Sequence, residues 1–194
     1  MSVDASTPDA TLAQLAAAGD DQAFAHLVRR YKEPLYRLLR RYIGDAEEAY
    51  EAVHEAFIAA WAALGRYDPE RPFGAWLRTI AINKARDRNR RLVVRRLILG
   101  SRGLNDEALA AVDPSQSSDD ALIENQRAQF LDKAIGRLPD ALKAALILTA
   151  FDGHTHAEAG RILGVSAKTI ETRVYRARKL LAGRLDDSMG RSAR

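Results

Sequence analysis

The chain has 194 residues, 47% of them hydrophobic and 29% charged, enough apolar surface for packed cores and too much for a wholly disordered chain. It contains no cysteine, which excludes disulfides, thiolate metal sites and thiol redox switches within it. The formal net charge is only +4, from 30 Lys+Arg against 26 Asp+Glu, so any nucleic-acid affinity must come from how the charge is distributed.

The first residues, Met1 to Ala5, lack a basic start followed by an apolar core and do not read as a signal peptide. Apolar runs such as Ala144 to Leu148 are far too short to span a bilayer, so a cytoplasmic location is expected, with no direct membrane insertion. Helical spacing dominates from about Leu12 to Leu97. Phe24, Leu27, Val28 and Tyr31 mark one apolar face; Leu35, Leu38, Leu39 and Tyr42 continue it after Pro34, a residue expected near a helix start or kink. Val53, Phe57, Ala60, Trp61 and Leu64 form the next stripe, and Trp76, Leu77, Ile80 and Ala81 another. No stretch alternates with period two for long enough to read as a strand.

The texture changes at Gly100-Ser101-Arg102-Gly103, followed by the acidic, small-residue stretch Asp113 to Asp120. This reads as an interdomain linker with a short helix at Glu107 to Ala111. The helical pattern resumes near Ala121. Leu131, Ile135 and Leu138 form one stripe, stopped by Pro139; Leu142, Leu146 and Ala150 form a second, broken at Phe151-Asp152-Gly153. A short helix over Ala157 to Leu163 ends at Gly164, suited to a left-handed cap, and Ser166 is placed to cap a last helix striped by Ile170, Val174, Ala177 and Leu181. The expected fold class is all-α: two small helical domains joined by a flexible linker, the second containing a helix-turn-helix.

Three constellations carry chemistry. The first, Ala157 to Lys179, is a short helix, a tight turn and a longer basic helix. Ala157, Ile162, Val165, Ile170 and Val174 would pack the pair together. Ser166, Lys168, Thr169, Thr172, Arg173, Arg176 and Arg178 would then face DNA. In a major groove Arg reads guanine and Thr meets a thymine methyl, while Lys179 and Arg184 extend the charge to phosphates. The competing reading is an ordinary antiparallel helix pair with a solvated basic face.

The second, Asn83 to Arg96, holds Lys84, Arg86, Arg88, Arg90, Arg91, Arg95 and Arg96 against one acid, Asp87. Such density repels itself unless it meets phosphate. It follows Arg66-Tyr67, Phe73 and Trp76, and cations beside aromatics suit single-stranded DNA, whose bases stack on rings. Alternatively Phe73 and Trp76 are core and the arginines a solvated face. The third is acidic: Glu47, Glu51 and Glu55 share a helix face around His54, a like-charge spacing that costs a few tenths of a kcal/mol per pair and that a basic protein partner would offset. It reads equally as a solvated face. His154-Thr155-His156 lacks an obvious third ligand, and no phosphate loop, nucleophile elbow or two-histidine helix motif occurs; no metal, cofactor or catalytic residue is expected.

With these residues in view, the chain resembles the extracytoplasmic-function (ECF) sigma factors of the sigma-70 family. Phe73-Gly74-Ala75-Trp76-Leu77-Arg78-Thr79-Ile80-Ala81-Ile82-Asn83, followed by Asp87 to Arg91, resembles the family's promoter-melting helix. Glu51 to Trp61 resembles the helix that docks on the polymerase clamp coiled coil. Leu138-Pro139 through Gly164-Val165-Ser166 to Arg178 resembles the domain that reads the −35 element.

The resemblance implies a subunit that directs core RNA polymerase to promoters and initiates transcription, not an enzyme. It implies a domain over 10–97, a linker over 98–123 and a helix-turn-helix domain over 124–186. The first domain would read and melt the −10 element through Arg66, Tyr67, Phe73, Trp76, Asn83, Lys84, Arg86, Arg88, Arg90 and Arg91, with Asn83 near a pocket for an extruded base. Glu51, His54, Glu55 and Phe57 would contact the polymerase clamp, and the second domain its flap. Partners would be core RNA polymerase, promoter DNA both duplex and single-stranded, and an anti-sigma factor; the active chain would sit at the nucleoid. Departures from the family pattern are Glu51 and His54-Glu55 where Asp and Gln-Glu are usual, Glu171 where Lys is frequent, and Ala159-Gly160 where a bulkier pair is usual. The competing function is a helix-turn-helix repressor or activator working without polymerase; an enzyme with a DNA-binding tail lacks any catalytic constellation.

Overall fold

The computed structural model describes residues 4, 6–98 and 130–192, and every regular element among them is helical. The expected linker core and its short helix lie outside the described residues.

The N-terminal unit holds four helices: α1 (Asp9–Ala17), α2 (Asp21–Ile43), α3 (Ala46–Ala63) and α4 (Phe73–Ile98), with a 3₁₀ turn, Leu64–Arg66, after α3. Their starts and stops follow local chemistry. The Asp20 carboxylate accepts from the amides of Gln22 and Ala23, and Asp45 from Glu48, supplying acceptors for orphan amides at two helix starts. Gly44 ends α2 in the left-handed region at φ 91°. Pro34 neither starts nor ends a helix: α2 continues through it. The proline removes one backbone donor, but Leu27, Leu35, Leu38, Leu39 and Tyr42 are all buried on the same face, and that packing carries the helix across the gap. Each fully buried leucine contributes about 2 kcal/mol.

Small residues let these helices close up. Ala49, Ala52, Ala56 and Ala60 are buried along α3, and Ala81 and Ala85 along α4. Asp9 on α1 receives both the Tyr31 hydroxyl and the Arg30 guanidinium from α2. Tyr31 lies against Gly74, where an added Cβ would come within 2.8 Å of its ring. Trp61, expected in the buried stripe of α3, is 39% exposed and rests one side on Phe24, with ring centres 4.7 Å apart.

The C-terminal unit comprises helical residues 130–136 (α5), α6 (Asp140–Leu146), α7 (His156–Leu163) and α8 (Ala167–Ser192). α6 widens into a π turn at Ile147–Phe151 before the chain reverses at Gly153, φ 73°. Pro139 precedes α6, as its fixed φ and missing amide favour. Thr155 and Glu158 cap α7 reciprocally, each side chain bonding the other's backbone amide. Ile135, Leu138, Ala145, Leu148, Ile162, Ile170 and Ala177 form the core of this unit.

The two units pack together, α4 against α7 and α2 against the π turn. Buried apolar residues of both units belong to one continuous cluster, and polar groups bond across the contact. Arg78 donates to Asp152 at 2.6 Å, Arg86 to Asp140 at 2.8 Å, and the Thr79 hydroxyl to the Ile162 carbonyl at 3.0 Å. The Tyr42 hydroxyl also donates to Asp140, and burial together with that bond pushes its phenol well above the ordinary range.

Candidate nucleic-acid interface

The helix-turn-helix is built by α7, the Gly164-Val165-Ser166 turn and α8. Gly164 adopts φ 67°, and the Ser166 hydroxyl accepts from the Thr169 amide at 3.1 Å, so the C-cap and N-cap expected from the sequence are both in place. Ile162, Ile170, Val174, Ala177 and Leu181 are buried as the stripe requires. α7 differs in register: Ala157 is exposed, while Ala159 and Gly160 face inward. Gly160 is a requirement of the turn, because a Cβ there would stand 2.6 Å from the Val165 carbonyl oxygen. Gly160→Ala should therefore force the turn apart and cost about 1–3 kcal/mol of stability in this unit. Chemical denaturation followed by circular dichroism checks this, and an unchanged midpoint would show that the turn tolerates the methyl group.

α8 presents Lys168, Thr172, Arg176 and Arg178 to solvent, with Thr169 and Arg173 half-buried at the edge. Lys168 spends its charge on Glu171, 2.9 Å away, and the Thr172 hydroxyl bonds the Lys168 carbonyl. Arg173, Arg176 and Arg178 have no carboxylate partner among the described residues. Beside them Tyr175 is 67% exposed, an aromatic the sequence reading passed over. Its signal was available: position 175 falls outside the buried stripe at 170, 174, 177 and 181. A large ring held in water on a basic helix suits contact with base edges or sugars.

On α4 the basic residues divide by direction. Arg88 turns inward and binds both Glu48 and Glu55 of α3, the latter at 2.9 Å. This internal cation relieves the repulsion expected along the acidic face of α3. Arg86 turns toward α6. Arg90 and Arg91 are exposed, Arg90 pairing loosely with Asp87 at 3.1 Å. Asn83 is exposed and Lys84 half-buried. Arg95 and Arg96 lie where side chains are outside the description.

Just before this helix, Tyr67, Phe73 and Trp76 form an aromatic cluster with ring centres 5.1–5.4 Å apart. Phe73 is buried and Tyr67 nearly so, its hydroxyl donating to the Arg71 carbonyl at 2.6 Å. Trp76 is half-buried and Arg66 exposed. The cluster thus serves as core on one side and keeps part of Trp76 at the surface.

The outer face of α3 carries Glu51 and His54, both exposed, with Glu55 partly exposed and Phe57 buried in the core. The same face exposes three apolar residues the sequence reading did not assign to a site: Tyr50 at 49%, Ile58 at 65% and Trp61. Large apolar side chains interleaved with carboxylates on a solvent face have the composition of a protein-docking surface. Among the described residues no group of three or more His, Asp or Glu could hold a metal.

Among the described residues the elements are all helical, and the C-terminal unit ends in a basic helix-turn-helix, the architecture of a DNA-binding protein. Comparison with known proteins places it further. Residues 27–94 match the family model of sigma-70 region 2, and residues 130–181 that of sigma-70 region 4. The sequence is 37% identical over 183 residues to the RNA polymerase sigma factor CnrH of Cupriavidus metallidurans, covering 92% of this chain and 94% of that protein. It is 31% identical over 173 residues to the ECF RNA polymerase sigma factor SigW of Bacillus subtilis, covering 87% and 92%. Among solved structures it is similar to CnrH in complex with the cytosolic domain of CnrY, with TM-score 0.67 and 32% identity over 95% of this chain and 99% of that one. It is also similar to RpoE in complex with the anti-sigma factor NepR from Bartonella quintana, with TM-score 0.65 and 26% identity over 84% and 96%. The chain belongs to the ECF sigma factors of the sigma-70 family, proteins of promoter recognition and transcription initiation. Among the described residues no helix is long and apolar enough to cross a membrane.

Proposed function

We propose that the two units divide the promoter between them. Residues 10–97 dock on the polymerase clamp and handle the −10 element, 98–123 link, and 124–186 read the −35 element and meet the flap. The observation that carries this is the pair of basic surfaces in one chain: α8 with Arg173, Arg176 and Arg178, which have no carboxylate partner among the described residues, and the α4 surface of Asn83, Lys84, Arg90 and Arg91. The first suits a major groove, with Ser166, Lys168, Thr169 and Thr172 alongside. The second, with Arg66, Tyr67, Phe73 and Trp76 at its start, suits a melted strand whose bases stack and whose phosphates need cations. Arg86 joins it once released from Asp140; Arg88, held by two glutamates, acts by fixing α4 on α3.

Glu51, His54 and Glu55, held in place by the Phe57 anchor beneath, form the charged part of the clamp surface; Tyr50, Ile58 and Trp61 supply its apolar part. The chain acts as a binding subunit with no catalytic step of its own, in the cytoplasm, at the nucleoid when engaged. The solved relatives bound to CnrY and NepR support an anti-sigma factor as a further partner.

Glu51→Lys combined with Ile58→Asp changes only exposed positions. The double variant should keep its helical content and lose at least about tenfold in affinity for core RNA polymerase, since like charges and lost apolar area both oppose docking. Retention on immobilised core polymerase measures this; undiminished retention would remove this face from the interface. The division of labour itself is tested by DNA binding with and without polymerase. The chain alone should bind duplex promoter DNA weakly and, with core polymerase, protect both elements. Tight, specific duplex binding by the chain alone, with no effect of polymerase, would point to a conventional repressor or activator.

A further inference from the structure

Helix α1 lies ahead of residues 27–94, the segment that matches sigma-70 region 2. It buries Leu12, Ala13 and Ala16 and packs against α2, the Leu64–Arg66 turn and α4. That turn ends in Arg66 and runs into Tyr67; α4 begins at Phe73 and carries Trp76. These four residues are the ones assigned to the melted strand, and the inference rests on that assignment. α1 therefore packs against both segments that carry the aromatic cluster.

A short chain of contacts leads from α1 to that cluster. The two carboxylate oxygens of Asp9 accept separately from the Arg30 guanidinium and the Tyr31 hydroxyl. Arg30 also donates to the Thr7 carbonyl at 3.1 Å, which ties the start of α1 to α2. Tyr31 fills the space that a side chain at Gly74 would need, its hydroxyl 3.1 Å from where a Cβ would stand. Its ring centre is 5.5 Å from that of Phe73, the planes tilted by 54°. Phe73 in turn lies 5.4 Å from both Tyr67 and Trp76. Burial, and then the bond to Asp9, raise the Tyr31 phenol well above its ordinary range, so the hydroxyl stays a donor. Apolar contact alone would let the Tyr31 ring slide; a charge-assisted hydrogen bond is directional and fixes it. Rings that stack a base need such fixing, because a binding group works only when held within about 0.5 Å of its productive position.

We propose that Asp9 and Tyr31 are positioning residues for promoter opening: through Phe73 they set the Tyr67–Trp76 platform on which the melted strand stacks. α1 is thus part of the opening apparatus without touching DNA. Neither residue lies on the α3 face assigned to the clamp, so the brace acts on opening and not on docking.

The test uses the full chain with core RNA polymerase on promoter DNA. Tyr31→Phe keeps the ring and removes only the hydroxyl. It should leave retention on core polymerase and closed-complex formation unchanged and lower the melted fraction, read by permanganate, by about fivefold, the effect of one lost hydrogen bond. Asp9→Ala should fall as far, and Asp9→Asn, which keeps an oxygen for the Tyr31 hydroxyl, should recover most of the loss. A double-mutant cycle separates positioning from general weakening: once Trp76→Ala has removed the platform, Tyr31→Phe should cost nothing further. An undiminished melted fraction in Tyr31→Phe, a matching loss of polymerase retention, or losses that add in the Tyr31→Phe, Trp76→Ala double variant would each overturn the brace. Failure of the promoter reading looks different: Trp76→Ala alone would then leave melting intact, or the unaltered chain would open no promoter.

Discussion

Replacing Arg173 and Arg176 together with alanine is expected to abolish −35-dependent promoter binding by the holoenzyme while leaving core polymerase affinity unchanged. Both side chains project from α8 without a carboxylate partner among the described residues, so their removal leaves no buried charge behind and little reason to unfold. A good Arg–guanine contact is worth about 1–3 kcal/mol of discrimination, so two should cost on the order of a hundredfold if they act independently. The loss should depend on base sequence: a promoter altered at the contacted positions should no longer distinguish wild type from variant. A loss equal on all sequences, with a shallower salt dependence, would assign both residues to phosphates instead. Tyr175→Ala is the companion test, because the ring has no core role to lose; weaker promoter binding with an unchanged denaturation midpoint would assign it to recognition.

The second large effect is expected at opening. Asn83 is exposed at the start of the basic stretch of α4, one helical turn before Asp87 and within 3.5 Å of Arg86. Extruding a base costs a few kcal/mol, which contacts to its edge must offset. Asn83→Ala should leave closed-complex formation nearly intact and reduce the melted fraction by tenfold or more, read by permanganate reactivity of unpaired thymines. Equal loss in closed-complex affinity and in melting would place Asn83 at duplex DNA. Arg88→Ala should look different from both: with Glu48 and Glu55 left unneutralised, the α3–α4 pair itself should loosen and stability should fall before any DNA step is examined.

What the sequence made legible was what depends on near neighbours. The helix-turn-helix could be placed because Gly164, Ser166 and the stripe Ile170, Val174, Ala177 and Leu181 each encode a local geometry, and all agree. The basic stretch of α4 was legible as a density of charge. What each arginine does was not, because the partners of Arg86 and Arg88 come from α6 and α3, residues 54 and 40 positions away. The same limit explains Gly160. Read along α7 it weakens a helix; in three dimensions it is where the turn comes back within touching distance. Ala157 and Ala159 are chemically identical, so nothing but the packing direction of α7 decides which is buried. Trp61 and Ile58 escaped assignment because apolar residues on α3 look alike until Phe24 of α2 is placed beside one of them. Pro34 starts no helix for a related reason: its local cost is real, and the buried side chains Leu27 before it and Leu35, Leu38, Leu39 and Tyr42 after it outweigh that cost.

The central claim is that this chain gives polymerase a promoter it cannot otherwise find. Purified chain should be added to core RNA polymerase on a library of genomic fragments, and RNA start sites mapped. The account predicts start sites that appear only with the chain and share two sequence elements at a fixed spacing upstream. No chain-dependent start sites, alongside tight duplex binding by the chain alone, would contradict it.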